Sequence, residues 1–234
     1  MDKQQLREQV WGQLEDRGEA RFPFPPHGRI PNFAGADRAA GRLTDLDAWR
    51  SAAVVKSNPD APQLPVRRAA LRAGKTVYMA VPRLREEKCF LRLAPEEVDD
   101  VDHATTVGGS AEVGVQVGPE EMPPVDLVVS GSVAVTETGR RVGKGEGYSD
   151  LEFAVLREFG LVDDETTTAT TVHELQVVED PVETGAHDVP MDAIVTPERT
   201  IRPGPSDKPA GVDWGLLDDG AIEEMPVLRL LSSG

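Results

Sequence analysis

The stretch that decides the interpretation of this chain is Gly139-Arg140-Arg141-Val142-Gly143-Lys144-Gly145-Glu146-Gly147-Tyr148-Ser149-Asp150. It follows an apolar run at 125–129 that predicts a buried strand, and it precedes 151–159, whose apolar spacing predicts a helix. Glycine lets the backbone approach an anion closely, and the start of a helix supplies free N–H groups and positive dipole. Two arginines and a lysine add charge, so the stretch predicts a phosphate-binding loop.

The spacing of the glycines leaves an alternative open. It matches neither the G-x-G-x-x-G of dinucleotide-binding folds nor the G-x-x-x-x-G-K-[ST] of P-loops. Glycine-rich segments are also common turn material. From the spacing alone, the alternative is a flexible surface loop that binds nothing.

The chain before this loop predicts an α/β fold. Residues 52–56 and 76–81 are typical of buried strands, and 64–74 between them fits a helix that stops at Gly74. A strand, a helix and a strand within about 30 residues form a βαβ unit, which predicts a partly parallel sheet. Further strands are predicted at 125–129, 131–136, 167–178 and 193–195.

The N-terminal residues predict a helix over 2–17 with one apolar face and with Asp2 as its cap. Lys3 and Arg7 share a side of this helix because they are four residues apart. On spacing alone, they are two solvated charges.

The chain is strongly acidic, with 41 acidic against 25 basic residues and a formal net charge of −16. Lysine is scarce, and such a surface stays hydrated when salt screens charge repulsion. This composition predicts a halophilic host, with an acidic mesophile as the alternative. The same charge argues against nucleic acid and membrane surfaces as partners. An anionic small molecule would need a local basic site, which the glycine loop offers.

Several common site types find no support in the sequence. The single cysteine, Cys89, excludes an internal disulfide framework and lies in a strand-like run typical of a core residue. The four histidines lack a zinc-ligand spacing. No apolar segment is long enough to span a membrane, and the charged N-terminal residues are unlike a secretion signal. We therefore expect a cytoplasmic protein.

The C-terminal residues differ in composition from the rest. Proline and glycine dominate 203–213, which predicts a linker, whereas 214–234 carries enough apolar side chains to dock. We expect one domain over 1–202, followed by a linker and docked extension over 203–234.

Together these pieces resemble the 5-formyltetrahydrofolate cyclo-ligase family, also called 5,10-methenyltetrahydrofolate synthetases, over roughly residues 3–201. The resemblance rests on Lys3-x-x-Leu6-Arg7, on the glycine loop and on the segment 176–188. It looks closer still to paralogues that carry Arg29-Ile30-Pro31-Asn32-Phe33 and the loop motif 143–148. The resemblance implies an α/β fold in three layers (α/β/α), with an open, largely parallel sheet of the ribose-5-phosphate isomerase and CoA-transferase type.

The resemblance also implies ATP and Mg²⁺. It implies that Lys3 and Arg7 contact the ATP phosphates, whereas spacing alone favours two solvated charges. Asp150 and Asp188 would be ligands of Mg²⁺. Without the resemblance, Asp150 would be a helix cap and Asp188 a turn residue. The sequence does not tell whether Asp188 or Asp192 faces the metal. The residues that it assigns to the nucleotide are Lys3, Arg7, Arg141, Val142, Gly143, Lys144, Gly145, Glu146, Gly147 and Tyr148. Of these, Arg141, Lys144 and Tyr148 are the candidate catalytic residues. Because Arg141 and Lys144 are predicted to be charged loop residues, we expect their substitution to weaken nucleotide binding with little loss of fold.

The implied reaction converts 5-formyltetrahydrofolate and ATP to 5,10-methenyltetrahydrofolate, ADP and phosphate. The formyl oxygen attacks the γ-phosphate, and ring closure then expels phosphate, so the protein mainly aligns reactants and neutralises charge. The candidate substrate-binding residues are Asn58, Gln63 and Tyr148.

Two departures from the family pattern concern the folate half of the site. Gln63 stands near the position of an expected glutamate, and Ser149 replaces the second loop tyrosine. An ATP-binding paralogue with another substrate and a non-catalytic nucleotide-binding module therefore stay open as alternatives.

Overall fold

The structure is a computed structural model that describes residues 2–179 and 181–232. Its α-helices are α1 (Lys3–Asp16), α2 (Ala36–Leu43), α3 (Asp47–Ser51), α4 (Leu64–Arg72), α5 (Val101–Ala104), α6 (Val107–Val113), α7 (Tyr148–Glu158), α8 (Asp219–Glu224) and α9 (Pro226–Ser232). Its strands are β1 (Ala20–Arg21), β2 (Asn32–Phe33), β3 (Val54–Ser57), β4 (Thr76–Ala80), β5 (Phe90–Leu93), β6 (Val115–Val117), β7 (Leu127–Val129), β8 (Ala134–Thr136), β9 (Arg141–Val142), β10 (Thr167–Thr171), β11 (Val177–Val178), β12 (Ala193–Val195) and β13 (Thr200–Ile201). None of the helices in these ranges is long and apolar enough to cross a lipid bilayer.

The main sheet has eight strands in the order β13-β12-β10-β7-β3-β4-β5-β6. The neighbours β12, β10, β7, β3 and β4 are parallel, and antiparallel pairs complete both edges. The predicted βαβ unit is confirmed as β3-α4-β4. The carboxyl ends of the parallel strands lie along one side of the sheet, where open α/β sheets bind their ligands.

Helices cover both faces of this sheet because the strand side chains alternate. On β4, Val77 and Met79 pack into a core with α2, α3 and α4, whereas Tyr78 and Ala80 pack into a second core with α7 and α9. The predicted three-layer, largely parallel α/β architecture is confirmed.

A smaller three-stranded sheet, β11-β8-β9, carries the glycine stretch. Helix α1 packs its buried face against it in a third core, and Asp2 caps α1 through the N–H groups of Gln4 and Gln5. The predicted loop over 139–150 is shorter in the structure. Arg141 and Val142 form the buried strand β9, so the loop proper covers 143–147, and α7 begins directly after it.

The segment 203–213 has no helix or strand, yet it is held firmly. The ammonium group of Lys208 is buried, donates to the carbonyls of Asp164 (2.9 Å) and Thr166 (2.8 Å), and pairs with Asp192 at 2.8 Å. Beyond it, the extension adds buried apolar side chains to the core around α7, namely Val212, Met225, Val227 and Leu228.

Candidate functional site

A cavity of about 300 Å³ opens at the carboxyl ends of β3, β4 and β7. Its walls come from the turn 58–60, from 80–83, from Gly131 and from much of the segment 143–152. The sheet topology therefore brings the glycine loop and the turn after the first central strand to one place.

The glycine loop presents unpaired backbone donors. Within the described residues, the N–H groups of 144–150 donate no hydrogen bond, and those of 148–150 belong to the first turn of α7. Gly145 (φ 113°) and Gly147 (φ 72°) adopt backbone conformations that other residues rarely reach. Consecutive free N–H groups at a helix start are a favourable binding site for an anion such as phosphate.

Two cationic side chains flank these donors. Arg7 donates from Nε to the carbonyl of Gly143 at 2.7 Å, and its guanidinium lies 3.5 Å from where a Cβ would stand on Gly145. Lys144 is 38% exposed and pairs with Glu146 at 2.7 Å. Both cations therefore remain close enough to bind a ligand anion on the loop.

Lys3 lies in the same region, and its partner is Asp188. Lys3 Nζ is 2.9 Å from Asp188 Oδ2, which also accepts from the N–H of Gly185 at 2.8 Å. Burial alone would raise the pKa of Asp188, but the hydrogen bonds from Lys3 and Gly185 outweigh it and lower that pKa. The carboxylate is therefore charged at neutral pH.

The two predicted magnesium ligands are neighbours, because the N–H of Val189 donates to Asp150 Oδ1 at 3.0 Å. Asp150 Oδ2 pairs with Arg141 at 2.6 Å. In the part of the chain that the structure describes, no group of three or more His, Cys, Asp or Glu side chains gathers around a point. This donor set does not form a metal site by itself, but carboxylate oxygens suit a Mg²⁺ whose other ligands come from nucleotide phosphates and water.

Arg141 differs from its predicted role as a loop charge. It is 5% exposed and donates to the carbonyl of Gly131 at 2.8 Å as well as to Asp150. The neighbouring Val142, also predicted to contact the nucleotide, contributes its side chain to the core beneath α1. The premise that Arg141 is an exposed loop charge is therefore wrong, and because its side chain joins three segments we now expect its replacement to destabilise the fold.

Arg67 stabilises the turn after β3 through hydrogen bonds to its backbone carbonyls. This buried side chain donates to the carbonyls of Asn58 (2.6 Å), Asp60 (3.1 Å) and Thr105 (3.0 Å), and burial lowers its pKa to about 10. Arg67 thus keeps its charge at neutral pH and fixes the two side chains that the turn presents to the cavity.

Asn58, a predicted substrate-binding residue, is fully engaged within the protein. Its Oδ1 accepts from the N–H of Gly131 at 3.0 Å and from Ser149 Oγ at 3.3 Å, and its Nδ2 donates to Glu152 Oε2 at 3.2 Å. It joins β7, α7 and the turn, so its role in the site is to position them as well as to line the cavity.

A buried ion pair lies at the cavity floor and was missed by the sequence reasoning. Lys56 and Glu152 form it, with side chains only 1% and 8% exposed. Glu152 Oε2 accepts hydrogen bonds from Lys56 and from Asn58, whereas its Oε1 accepts no hydrogen bond from the described residues. Lys56 lies in a strand and Glu152 in an amphipathic helix, and nothing in the sequence indicates that these two charged residues are in contact.

Asp60 is a second carboxyl group of the cavity that the sequence reasoning passed over. No donor among the described residues contacts its side chain, and burial raises its pKa, although the charge of Lys144 opposes this. The signal available in the sequence was its position, in a polar turn that directly follows a buried strand. Together with Glu152 it gives the cavity acceptors for N–H donors of a ligand.

Gln63 and Tyr148, the other two predicted substrate-binding residues, have different positions. Gln63 is fully buried behind Gly131, where its Oε1 has no hydrogen-bond partner within the described ranges and it does not line the cavity. A direct role for Gln63 in binding substrate therefore finds no geometric support. Tyr148 lies at the start of α7 and lines the cavity.

Arg83 adds a cation that no sequence motif indicated. It lines the cavity and adopts a left-handed backbone (φ 60°), as does the buried Leu84 after it (φ 52°). Such a conformation is costly for residues other than glycine and is often found where side chains must be aimed at a ligand. Its guanidinium is 4.0 Å from Glu146.

Cys89 is buried, as predicted for a core residue. Burial raises the pKa of its thiol to about 12, so it stays protonated and is no nucleophile.

The fold and this cavity define a class: an α/β protein with a cavity at the carboxyl side of a largely parallel sheet and a basic glycine loop beside it. Within that class, the chain belongs to the 5-formyltetrahydrofolate cyclo-ligase family, whose sequence profile matches residues 1–197. The predicted family membership is confirmed, and the family is one of ligase enzymes.

Individual relatives agree with this assignment. The chain is 42% identical to the methenyltetrahydrofolate synthase domain-containing protein of Bos taurus and 41% identical to that of Homo sapiens, over 99% of this chain in each case. It covers 62% and 61% of those proteins, so it spans about three fifths of their length. The solved structure of Aquifex aeolicus 5,10-methenyltetrahydrofolate synthetase has the same fold, with 19% identity and a TM-score of 0.54 over 89% of this chain and 97% of that one.

Proposed function

We propose that this protein catalyses the ATP- and Mg²⁺-dependent conversion of 5-formyltetrahydrofolate to 5,10-methenyltetrahydrofolate, with release of ADP and phosphate. The observation that carries the proposal is the run of unpaired N–H groups at 144–150, flanked by Arg7 and Lys144, beside a cavity at the carboxyl side of the sheet.

In this proposal the chain's own residues align two substrates. The loop N–H groups, Arg7 and Lys144 hold the phosphates, and Asp60 and Glu152 accept hydrogen bonds from the donor edge of the folate ring. Because the formyl oxygen attacks phosphorus and the second folate nitrogen closes the ring, no nucleophilic side chain is required. Mg²⁺ would neutralise phosphate charge, with Asp150 and Asp188 as its protein ligands.

The direct test is to incubate the protein with 5-formyltetrahydrofolate, ATP and Mg²⁺ and to follow the methenyl absorbance together with ADP. Product that depends on all three supports the proposal. The assay is run at low and high salt because the composition is acidic. Absence of product at every salt concentration, from a protein that is folded, would reject it.

One observation favours a second candidate, an ATP-using paralogue with another substrate. Gln63, which stands near the position of an expected glutamate, is buried behind the cavity wall and does not line the cavity. ATP that raises the melting temperature without methenyl formation would favour this candidate, since only a ligand of the native state stabilises it. A failure to bind ATP at all would favour a non-catalytic module instead.

A further inference from the structure

A second cavity, of about 320 Å³, lies on the other side of the glycine loop. It shares Glu146, Gly147, Tyr148 and Asp150 with the first cavity. Its remaining walls are one side of α7 and the C-terminal extension between 211 and 225. The start of α7, with its unpaired N–H groups, therefore separates two cavities that lie against the same loop.

The wall given by the extension is fixed in place. Lys208 holds the segment before it to the main sheet, and the N–H of Val212 donates to Glu158 Oε1 of α7 at 2.9 Å. Met225 is 6% exposed and packs in the core with α7 while it lines the cavity. All these extension residues lie outside 1–197, the part that the family profile matches.

The lining combines apolar and polar side chains. Leu151 of α7 and Leu217 and Met225 of the extension are apolar, and His187 and Asp213 add hydrogen-bonding groups to the shared Glu146 and Asp150. This pattern suits a flat aromatic ring with polar edges, such as a purine. The volume lies near the small end of ligand pockets, which run from about 300 to 1,000 Å³. It suits a nucleoside rather than a larger ligand.

We propose that this second cavity binds the base and ribose of the nucleotide whose phosphates lie on the glycine loop. The C-terminal extension would then supply the nucleoside half of the site. The inference rests on the proposed use of ATP. It is supported by the continuity of the cavity with the loop, and by the carboxyl groups of Asp60 and Glu152, which line the first cavity but not the second and suit the other substrate.

The test compares ATP with tripolyphosphate, which carries the phosphates but no nucleoside. Both are titrated calorimetrically, with Mg²⁺ present, into the full chain and into two variants. Ala221→Phe fills the cavity, and Leu217→Ala removes part of its wall. Leu230→Phe is the matched control, because Leu230 is 59% exposed on α9 and lies outside the cavity.

We expect the wild type to bind ATP at least about tenfold more tightly than tripolyphosphate, and Ala221→Phe to remove most of that difference. Leu217→Ala should lose a smaller part, and the control should match the wild type. Tripolyphosphate binding should be the same in all of them. ATP binding by wild type and variants alike would overturn the inference, whereas a wild type that binds neither ligand would overturn the proposed function itself.

Photolabelling gives a second measurement that needs no variant. Irradiation of the wild type with 8-azidoadenosine triphosphate should label peptides from 211–225, and excess ATP should prevent it. ATP-protected labelling confined to other peptides would contradict the inference.

Discussion

Replacement of Lys56 by Met is the sharpest test of the buried pair at the cavity floor. The methionine keeps the length and apolar stem of the lysine, but it leaves Glu152 only 8% exposed and, among the described residues, with Asn58 as its one remaining donor. Breaking a buried ion pair from one side costs about 3–5 kcal/mol, because the other charge stays in a site from which water is excluded. At roughly 2–4 °C per kcal/mol for a chain of this size, the melting temperature should fall by about 6–20 °C.

The assay is urea unfolding followed by circular dichroism on a double-mutant cycle: Lys56→Met, Glu152→Gln and the two combined. The glutamine keeps an acceptor for Asn58 but carries no charge. We expect the double variant to recover most of the stability that Lys56→Met loses, because neither partner then leaves a buried charge. The coupling between the two sites should therefore amount to several kcal/mol.

Lys88 and Glu121 provide the control. They form the same type of ion pair at 3.0 Å, but their side chains are 53% and 43% exposed. Lys88→Met should therefore leave the free energy of unfolding almost unchanged, because water already solvates both charges. If Lys56→Met were equally mild, or if the double variant were as unstable as the single one, Glu152 would not be a buried charge that depends on Lys56.

Three further predictions concern the rest of the site. Lys144→Met should weaken ATP binding about tenfold or more by calorimetry with an unchanged melting temperature, since an exposed cation that contacts phosphate contributes to binding and little to folding; an unchanged affinity would remove Lys144 from the site. Arg141→Met should lower the free energy of unfolding by about 2–5 kcal/mol in urea, because Asp150 loses its ion-pair partner and the carbonyl of Gly131 loses a donor; a fully stable variant would contradict the structural role given to Arg141. Asp60→Asn should stabilise the protein at pH 7 and weaken substrate binding. Burial raises the pKa of Asp60, so the wild-type carboxyl favours folding below its ordinary pKa of about 4, and that contribution is lost as the pH rises through the folded value. The gain from asparagine, measured by urea unfolding across pH, should therefore disappear toward pH 4, and a gain that is constant with pH would refute this cause.

The sequence was sufficient for the parts of the site that depend on local pattern. Helix α1, the βαβ unit and the glycine loop all follow from hydrophobic periodicity and glycine placement. The family resemblance predicted a role at the loop for Arg7, which contacts the carbonyl of Gly143, and for Lys3, whose partner in the structure is Asp188. The contacts between distant charged side chains could not be predicted from the sequence. Lys56 and Glu152 lie 96 positions apart, and only the stacking of α7 on the sheet brings them together. The same holds for Arg141, whose charge suggested an exposed loop although the β8-β9 pairing buries it. The cytoplasmic location and the halophilic host stay predictions from composition.

The buried contacts of Lys208 indicate that residues beyond the family profile contribute to the stability of the fold. The family profile ends at Pro197, but a chain shortened there would leave the Asp192 carboxylate and two carbonyl groups without their ammonium partner. It would also strip the outer side of α7 of the residues that shield it from water. The family profile thus ends before residues that belong to the packed core, and we expect a protein trimmed to the profile length to expose apolar surface and to aggregate.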